Sequence, residues 1–332
     1  MRLAAPPTDR VERFRRDLAA LRWDNAAPLA LAVSGGPDSL ALLLLAAAAL
    51  PGRVTAATVD HLLRAESTFE ALHVEDICDR LGVPHAILAV TVRDGPAGVQ
   101  GEAREARYRA LSGWAAGQGA GWLATGHHAG DQAETLLMRL QRGSGLAGLS
   151  GIRPVRAEGG TALIRPLLSW TKAELVHLVA QAGIESVDDP SNHDPRYDRT
   201  AARALLARNP QFEPLRLARS AAALREADEA LHWVAEALVA ERTSPHSEGG
   251  WRVDPSALPR ELRRRLLRWA IDRVRRDAGL DPIAGLDVET LLTSLEQGGG
   301  GSLAGIVASG GGPGWHLRPE PPRRPVKAAS RP

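Results

Sequence analysis

From Leu29 onward, short apolar runs alternate with stretches of helical period. LALAV (29–33), VTAATV (54–59), HAILAV (85–90) and WLATG (122–126) are apolar runs bounded by turn residues, and each predicts a buried strand. Between them lie helical patterns over 39–50, 69–82 and 102–119, with a further one over 131–143. Pro51-Gly52 ends the first of these, and Gly82 with Pro84 ends the second. This alternation predicts an α/β fold, a doubly wound, Rossmann-like parallel sheet covered by helices on both faces through right-handed crossovers. Ligands in such folds bind beyond the carboxyl ends of the strands. The residues at those ends are therefore the first candidates for chemistry.

After Pro166 the pattern turns helical, with TKAELVHLVAQAG (171–183), the polar stretch DDPSNHDPRYDRT (188–200) and then AARALLARNP, stopped at Asn209-Pro210. Long Arg/Ala/Leu helices are predicted from about 215 to 241 and from 261 to 278. The expected division is a larger domain over 1–212 and a smaller, mainly helical domain over 213–332. Its Gly/Pro-rich tail from Gly298 reads as a small β element or loose end rather than as core.

A chain of 332 residues with 44% hydrophobic and 24% charged residues is of ordinary globular composition. The longest apolar run, Leu40–Leu50, has 11 residues, short of the roughly 20 that a spanning helix needs. The first residues place charges where an export signal would be apolar, so the expected location is cytoplasmic, away from membranes. Cys78 is the only cysteine, which excludes an internal disulfide, paired-cysteine redox chemistry and a cysteine-rich zinc site. The net charge is only +2, but 39 of the 41 basic residues are arginines, the exceptions being Lys172 and Lys327. Arginine suits phosphates and stacks on bases; a GC-rich genome would give the same bias. Eight arginines fall between Arg260 and Arg276, a candidate basic helix face.

Ser34-Gly35-Gly36-Pro37-Asp38-Ser39 lies between a predicted buried strand and a helix start. Two glycines let backbone N–H groups converge on an anion, the serines add hydroxyls, and the helix N-terminus adds partial positive charge. No Gly-Lys-Ser/Thr follows and no G-x-G-x-x-G is present, so this is neither a P-loop nor a dinucleotide fingerprint. Asp38 inside a phosphate cradle calls for a bridging cation and reads as a contact to magnesium on a pyrophosphate; the alternative is a Gly-Pro turn with an Asp cap. Val59-Asp60-His61 and Thr125-Gly126-His127-His128 end strands at the same edge. One helical face then carries His127, Asp131 and Glu134. A metal site and an ordinary dipole-favoured helix start both remain open for it.

Taken in order, SGGPDS, VDHLLRAES, REARYRAL, TGHHAGDQAETLLMRLQRGSGLAGLSGI, IRPLL and DDPSNHDPRYDRTAAR resemble the tRNA(Ile)-lysidine synthetases, a branch of the ATP-pyrophosphatase (N-type) superfamily with an adenine nucleotide alpha hydrolase-like fold. The resemblance spans roughly residues 29–208. It implies that ATP adenylates the C2 oxygen of the wobble cytidine in a CAU anticodon and that free L-lysine then displaces AMP to form lysidine. ATP and Mg2+ would be the cofactors and tRNA(Ile) the partner; a homodimer is left open. Ser34–Ser39, His61 and His127 would line the nucleotide site, with Asp38 holding magnesium through pyrophosphate and Arg107 neutralising phosphate. Asp131 and Glu134 would recognise lysine and serve as base. Arg199, with Arg203, would contact phosphate or the substrate nucleotide; a solvated loop and helix with Asp pairs is the plainer reading of those two.

Three departures from the family pattern stand out. Gly130 replaces the first acid of the usual HHADDQAET, Thr200 replaces the Asn of YxRN, and the stretch before Glu102 is looser. A tRNA thiolase of the same superfamily would need cysteines beyond Cys78 for sulfur transfer or a cluster. A catalytically silent RNA binder would have no use for carboxylates in a polyanion site. A small-molecule ligase leaves DPSNHDPRYDR and the arginine helices unexplained. Those arginines are expected to neutralise the backbone of a tRNA stem.

Overall fold

The computed structural model describes residues 3–321, apart from 25, 61–64, 92–97, 188–197, 248, 284 and 313. Two compact units divide between Arg225 and Glu226.

The first unit is built on a six-stranded sheet of β1 (Leu29–Ala32), β2 (Val54–Asp60), β3 (His85–Ala89), β4 (Trp122–Ala124), β5 (Val155–Glu158) and β6 (Thr161–Ile164). The order is β3-β2-β1-β4-β6-β5, with every pair parallel except β5 with β6. Alternation along β1 explains the two-sided burial. Leu29 and Leu31 enter a core with α1 (Thr8–Ala20), α2 (Pro37–Ala49), α3 (Ala65–Leu81) and α7 (Lys172–Gln181), whereas Ala30 joins Ala57, Leu123 and Leu163 against Tyr108 and Leu111 of α4 (Gly98–Gly117). Helix α2 is buried at every position from Ser39 to Ala46, which is why its apolar run lacks a polar face.

Helix α1, unforeseen in the sequence, seats Phe14 and Leu18 in this core. It is fastened to α7 by Arg10 and Arg13, both paired with Glu174, and Arg13 stacks 4.1 Å from the Trp170 ring. The β5–β6 hairpin was also unforeseen. Its turn residues Gly159 and Gly160 both have positive φ, the conformation a two-residue hairpin turn requires. The remaining helices of this unit are α5 (Ala129–Gln141), α6 (Leu146–Leu149), α8 (Asp198–Arg208) and the first part of α9 (Pro214–Arg242).

The second unit contains the rest of α9, α10 (Arg260–Asp277), α11 (Glu289–Glu296) and a five-stranded antiparallel sheet ordered β7-β8-β11-β10-β9. These strands are β7 (Thr243–Pro245), β8 (Trp251–Val253), β9 (Gly300–Leu303), β10 (Ile306–Ser309) and β11 (Trp315–Pro319). Of the two readings of the tail, the small β element is found and the loose end is not, and the expectation that it lies outside the core is corrected: Ile306, Ala308, Trp315 and Leu317 are core residues packed with Leu266, Leu267 and Ile271 of α10. Glycine-rich connections concealed strands of only four or five residues whose inward side chains alternate with outward ones.

Candidate active site

In the first unit the chain winds both ways from the neighbouring strands β1 and β4, so their carboxyl ends form the switch point of the sheet. The Ser34–Ser39 loop leaves β1 here. Gly35 has φ +81°, a conformation that side-chain-bearing residues rarely adopt, and its carbonyl accepts the Val187 N–H at 3.0 Å. Pro37 opens α2, and Ser39 Oγ closes the loop by accepting the Ser34 N–H (3.1 Å) and donating to the Gly36 carbonyl (2.9 Å). The end of β4 touches this loop: a Cβ on Gly126 would lie 2.8 Å from the Asp38 carbonyl oxygen. Glycine is therefore a steric requirement at position 126.

His128 caps α5, its Nδ1 accepting the Gly130 N–H and Asp131 accepting the His128 N–H, both at 2.9 Å. With Nδ1 acting as acceptor, a neutral His128 ring carries its proton on Nε2, which faces Asp38 Oδ2 at 3.6 Å and Asp131 Oδ2 at 3.7 Å. A Cβ on Gly130 would lie 2.5 Å from Cε1 of this ring, so the departure at 130 makes room for His128 as it stands. Thr125 Oγ1 and His127 Nδ1 are 2.9 Å apart. Burial pushes the His127 imidazole well below its ordinary range, and neighbouring arginines add to this against the pull of Asp131. Burial alone would raise Asp131, but its interaction with the adjoining imidazoles of His128 and His127, the Arg199 charge and the His128 N–H bring it below the usual carboxylate range.

Glu134, one turn further along α5, is buried and clamped from α8: Arg203 Nε donates to Oε1 at 2.8 Å, and Arg199 Nε lies 3.1 Å from Oε2. Arg199 also reaches Asp131, at 3.8 Å. Arg107 on α4 is close enough to Arg104 and Arg199 to feel their charge, and burial foremost lowers its affinity for a proton. The structure thus brings Asp38, His127, Asp131, Glu134, Arg107 and Arg199 to one edge of the sheet. Asp60 takes a different part, accepting from Ser67 (2.6 Å) and Thr68 (2.9 Å) at the start of α3. His61 and residues 188–197 of the DPSNHDPRY segment lie outside the described residues.

Lys172, absent from the expected site residues, stands at the first position of α7 with Nζ 2.7 Å from Asp38 Oδ2. The other carboxylate oxygen of Asp38 is buried with no hydrogen-bond partner among the described residues. An orphaned anionic oxygen is a hard donor and fits a magnesium ion. No cluster of three or more ligating side chains exists among the described residues, so further ligands would come from phosphate and water.

The arginines of α10 are largely engaged within their own unit. Arg260 and Arg264 pair with Glu289, Arg263 with Glu296, Arg265 with Asp228 and Arg273 with Asp277. No described helix is long and apolar enough to cross a membrane.

The parallel sheet and its glycine cradle define a PP-loop domain, and that family matches residues 9–209. A tRNA(Ile)-lysidine synthase from Novosphingobium aromaticivorans is 44% identical over 94% of each chain, and one from Zymomonas mobilis is 42% identical over 89% of each. A solved U34-tRNA thiolase from Methanococcus maripaludis shares the fold, with a TM-score of 0.55 and 18% identity over 66% of this chain and 78% of its own. The chain belongs to the tRNA(Ile)-lysidine synthase family.

Proposed function

We propose that this chain uses ATP to join L-lysine to C2 of the wobble cytidine of a CAU-anticodon tRNA(Ile), through an adenylated cytidine. The observation that carries the reading is the convergence, at one switch point, of a phosphate cradle, the carboxylates Asp38, Asp131 and Glu134, and the cations Arg107 and Arg199. Adenylation needs the α-phosphate held and its charge neutralised while pyrophosphate departs. The loop N–H groups, Ser34, Ser39 and Arg107 supply this. His127, kept neutral by burial, adds a polar wall without competing charge. Magnesium supplies charge neutralisation on the phosphates, and Asp38 is the residue that would hold it.

Lysine attack needs an ammonium bound and then deprotonated. Asp131 stays ionised and is only slightly exposed, suited to hold the ammonium, and Glu134 can take the proton that the ammonium gives up as Arg199 turns toward the nucleotide. Cys78 lends nothing to a thiolase alternative: it is fully buried, and burial foremost pushes its thiol up to about 12. The part of the chain after residue 212 is assigned to tRNA binding. Arg260, Arg263 and Arg273 there are in exposed pairs, which are weak and can exchange onto backbone phosphates.

The half-reactions provide the test. With the CAU tRNA and ATP but no lysine, pyrophosphate should be released while AMP stays on the RNA; lysine should then free AMP stoichiometrically. Pyrophosphate release that is indifferent to tRNA would overturn the reading.

A further inference from the structure

Lys172 is one of two lysines in a chain that otherwise uses arginine for its cations, and it lies at the switch point. Its backbone is held firmly. Thr171 and Glu174 form a reciprocal cap at the start of α7, Arg10 and Arg13 hold Glu174 from α1, and the preceding Trp170 is fully buried with its indole N–H donated to Asp17 at 2.7 Å. Its ammonium is not held in this way. The side chain is about half exposed (49%) and among the described residues has one partner, Asp38 Oδ2, while Asp38 Oδ1 has none among them. A compact charge on a four-carbon stem, anchored on a rigid helix start, can change partners over a few ångströms without backbone movement.

We propose that Lys172 binds the pyrophosphate portion of the nucleotide, exchanging its ammonium from Asp38 onto the phosphate oxygens. This rests on the adenylation reading. As the cytidine C2 oxygen bonds to the α-phosphorus, the bond from that phosphorus to the bridging oxygen breaks and its electron pair leaves with pyrophosphate. Lys172 neutralises that added charge and transfers no proton. The Asp38 pair also serves before the exchange, because an uncompensated carboxylate on the first turn of α2 would repel the incoming phosphates.

The scarcity of lysine makes the test direct. Wild-type protein is treated with an amine-acylating reagent, and modification of Lys172 is followed by mass spectrometry with Lys327 as internal reference. Inorganic pyrophosphate or ATP, in magnesium buffer, is expected to slow acylation of Lys172, AMP to leave it unchanged, and neither to alter Lys327. An unchanged or faster rate with pyrophosphate would overturn the proposal. A Lys172→Met variant gives a second measure. Pyrophosphate inhibition and the KM for ATP should weaken roughly tenfold to a hundredfold, with AMP inhibition and the KM for lysine unmoved. Parallel loss of all four would assign Lys172 a structural role instead. Pyrophosphate release by the wild type with ATP and the tRNA is measured alongside: its absence would defeat the adenylation reading, while the labelling pattern still decides the fate of Lys172.

Discussion

The Asp38 carboxylate gathers the polar groups of the site, with Lys172 and His128 beside one oxygen and the other buried without a partner among the described residues. Replacing it by alanine is expected to cut pyrophosphate release about 10²–10³-fold while tRNA binding stays near wild type, as filter binding would show. Glu134→Gln should raise the KM for lysine about tenfold and that for ATP far less; equal effects would remove Glu134 from the lysine site. Glu174 offers a pH test. Burial pushes it up, but the Thr171 N–H and hydroxyl with Arg10 and Arg13 bring it down from 4.5 to about 2. A depressed carboxyl stabilises the fold fully above pH 4.5 and progressively less as pH falls toward 2. Glu174→Gln should therefore destabilise by about 2 kcal/mol at pH 7, with a gap that narrows below pH 4.5 in urea titrations. Asp38, Asp131 and Glu134 were legible in the sequence because loop chemistry and helical spacing place them. Lys172 was not, since its partner lies 134 positions away and only the folded chain joins them.

Among the elements, those whose apolar pattern is continuous were legible. The four parallel strands β1–β4 and helices α2 to α5 fall where the sequence predicts them, within a few residues at their ends. Helix α1 was obscured because its charges were read only against an export signal, whereas Arg10 and Arg13 among them serve as fasteners to Glu174 and Trp170. Strands β5, β6 and β9–β11 are short and separated by glycines, so local pattern is weak and pairing decides them. The close approach of β4 to α2 sets its own test. Gly126→Ala forces a Cβ into the Asp38 backbone, and the expected result is a KM for ATP raised about tenfold or more with a loss of about 2 kcal/mol in stability. An alanine tolerated without either effect would mean that the loop and strand end move apart freely.

For the molecule as a whole, the cores of the two units share no residue: one runs from Val11 to Ile184 and the other from Ala235 to Leu317. Each can lose its packing without emptying the other, so calorimetry should resolve two transitions. Leu266→Ala, in the second core, should cost about 2–5 kcal/mol in one of them and leave the other in place. The alternation of apolar runs with helical patterns made the larger unit readable, whereas in the smaller one the sequence showed its helices and a small β element but not a five-stranded sheet within the core. The central claim is chemical, and the most direct measurement is transfer of radiolabelled lysine to a CAU-anticodon tRNA(Ile) transcript with ATP and magnesium, beside elongator methionine tRNA. Label is expected in the isoleucine tRNA alone. Label in neither, with pyrophosphate still released from ATP in the presence of the RNA, would contradict lysine as the nucleophile.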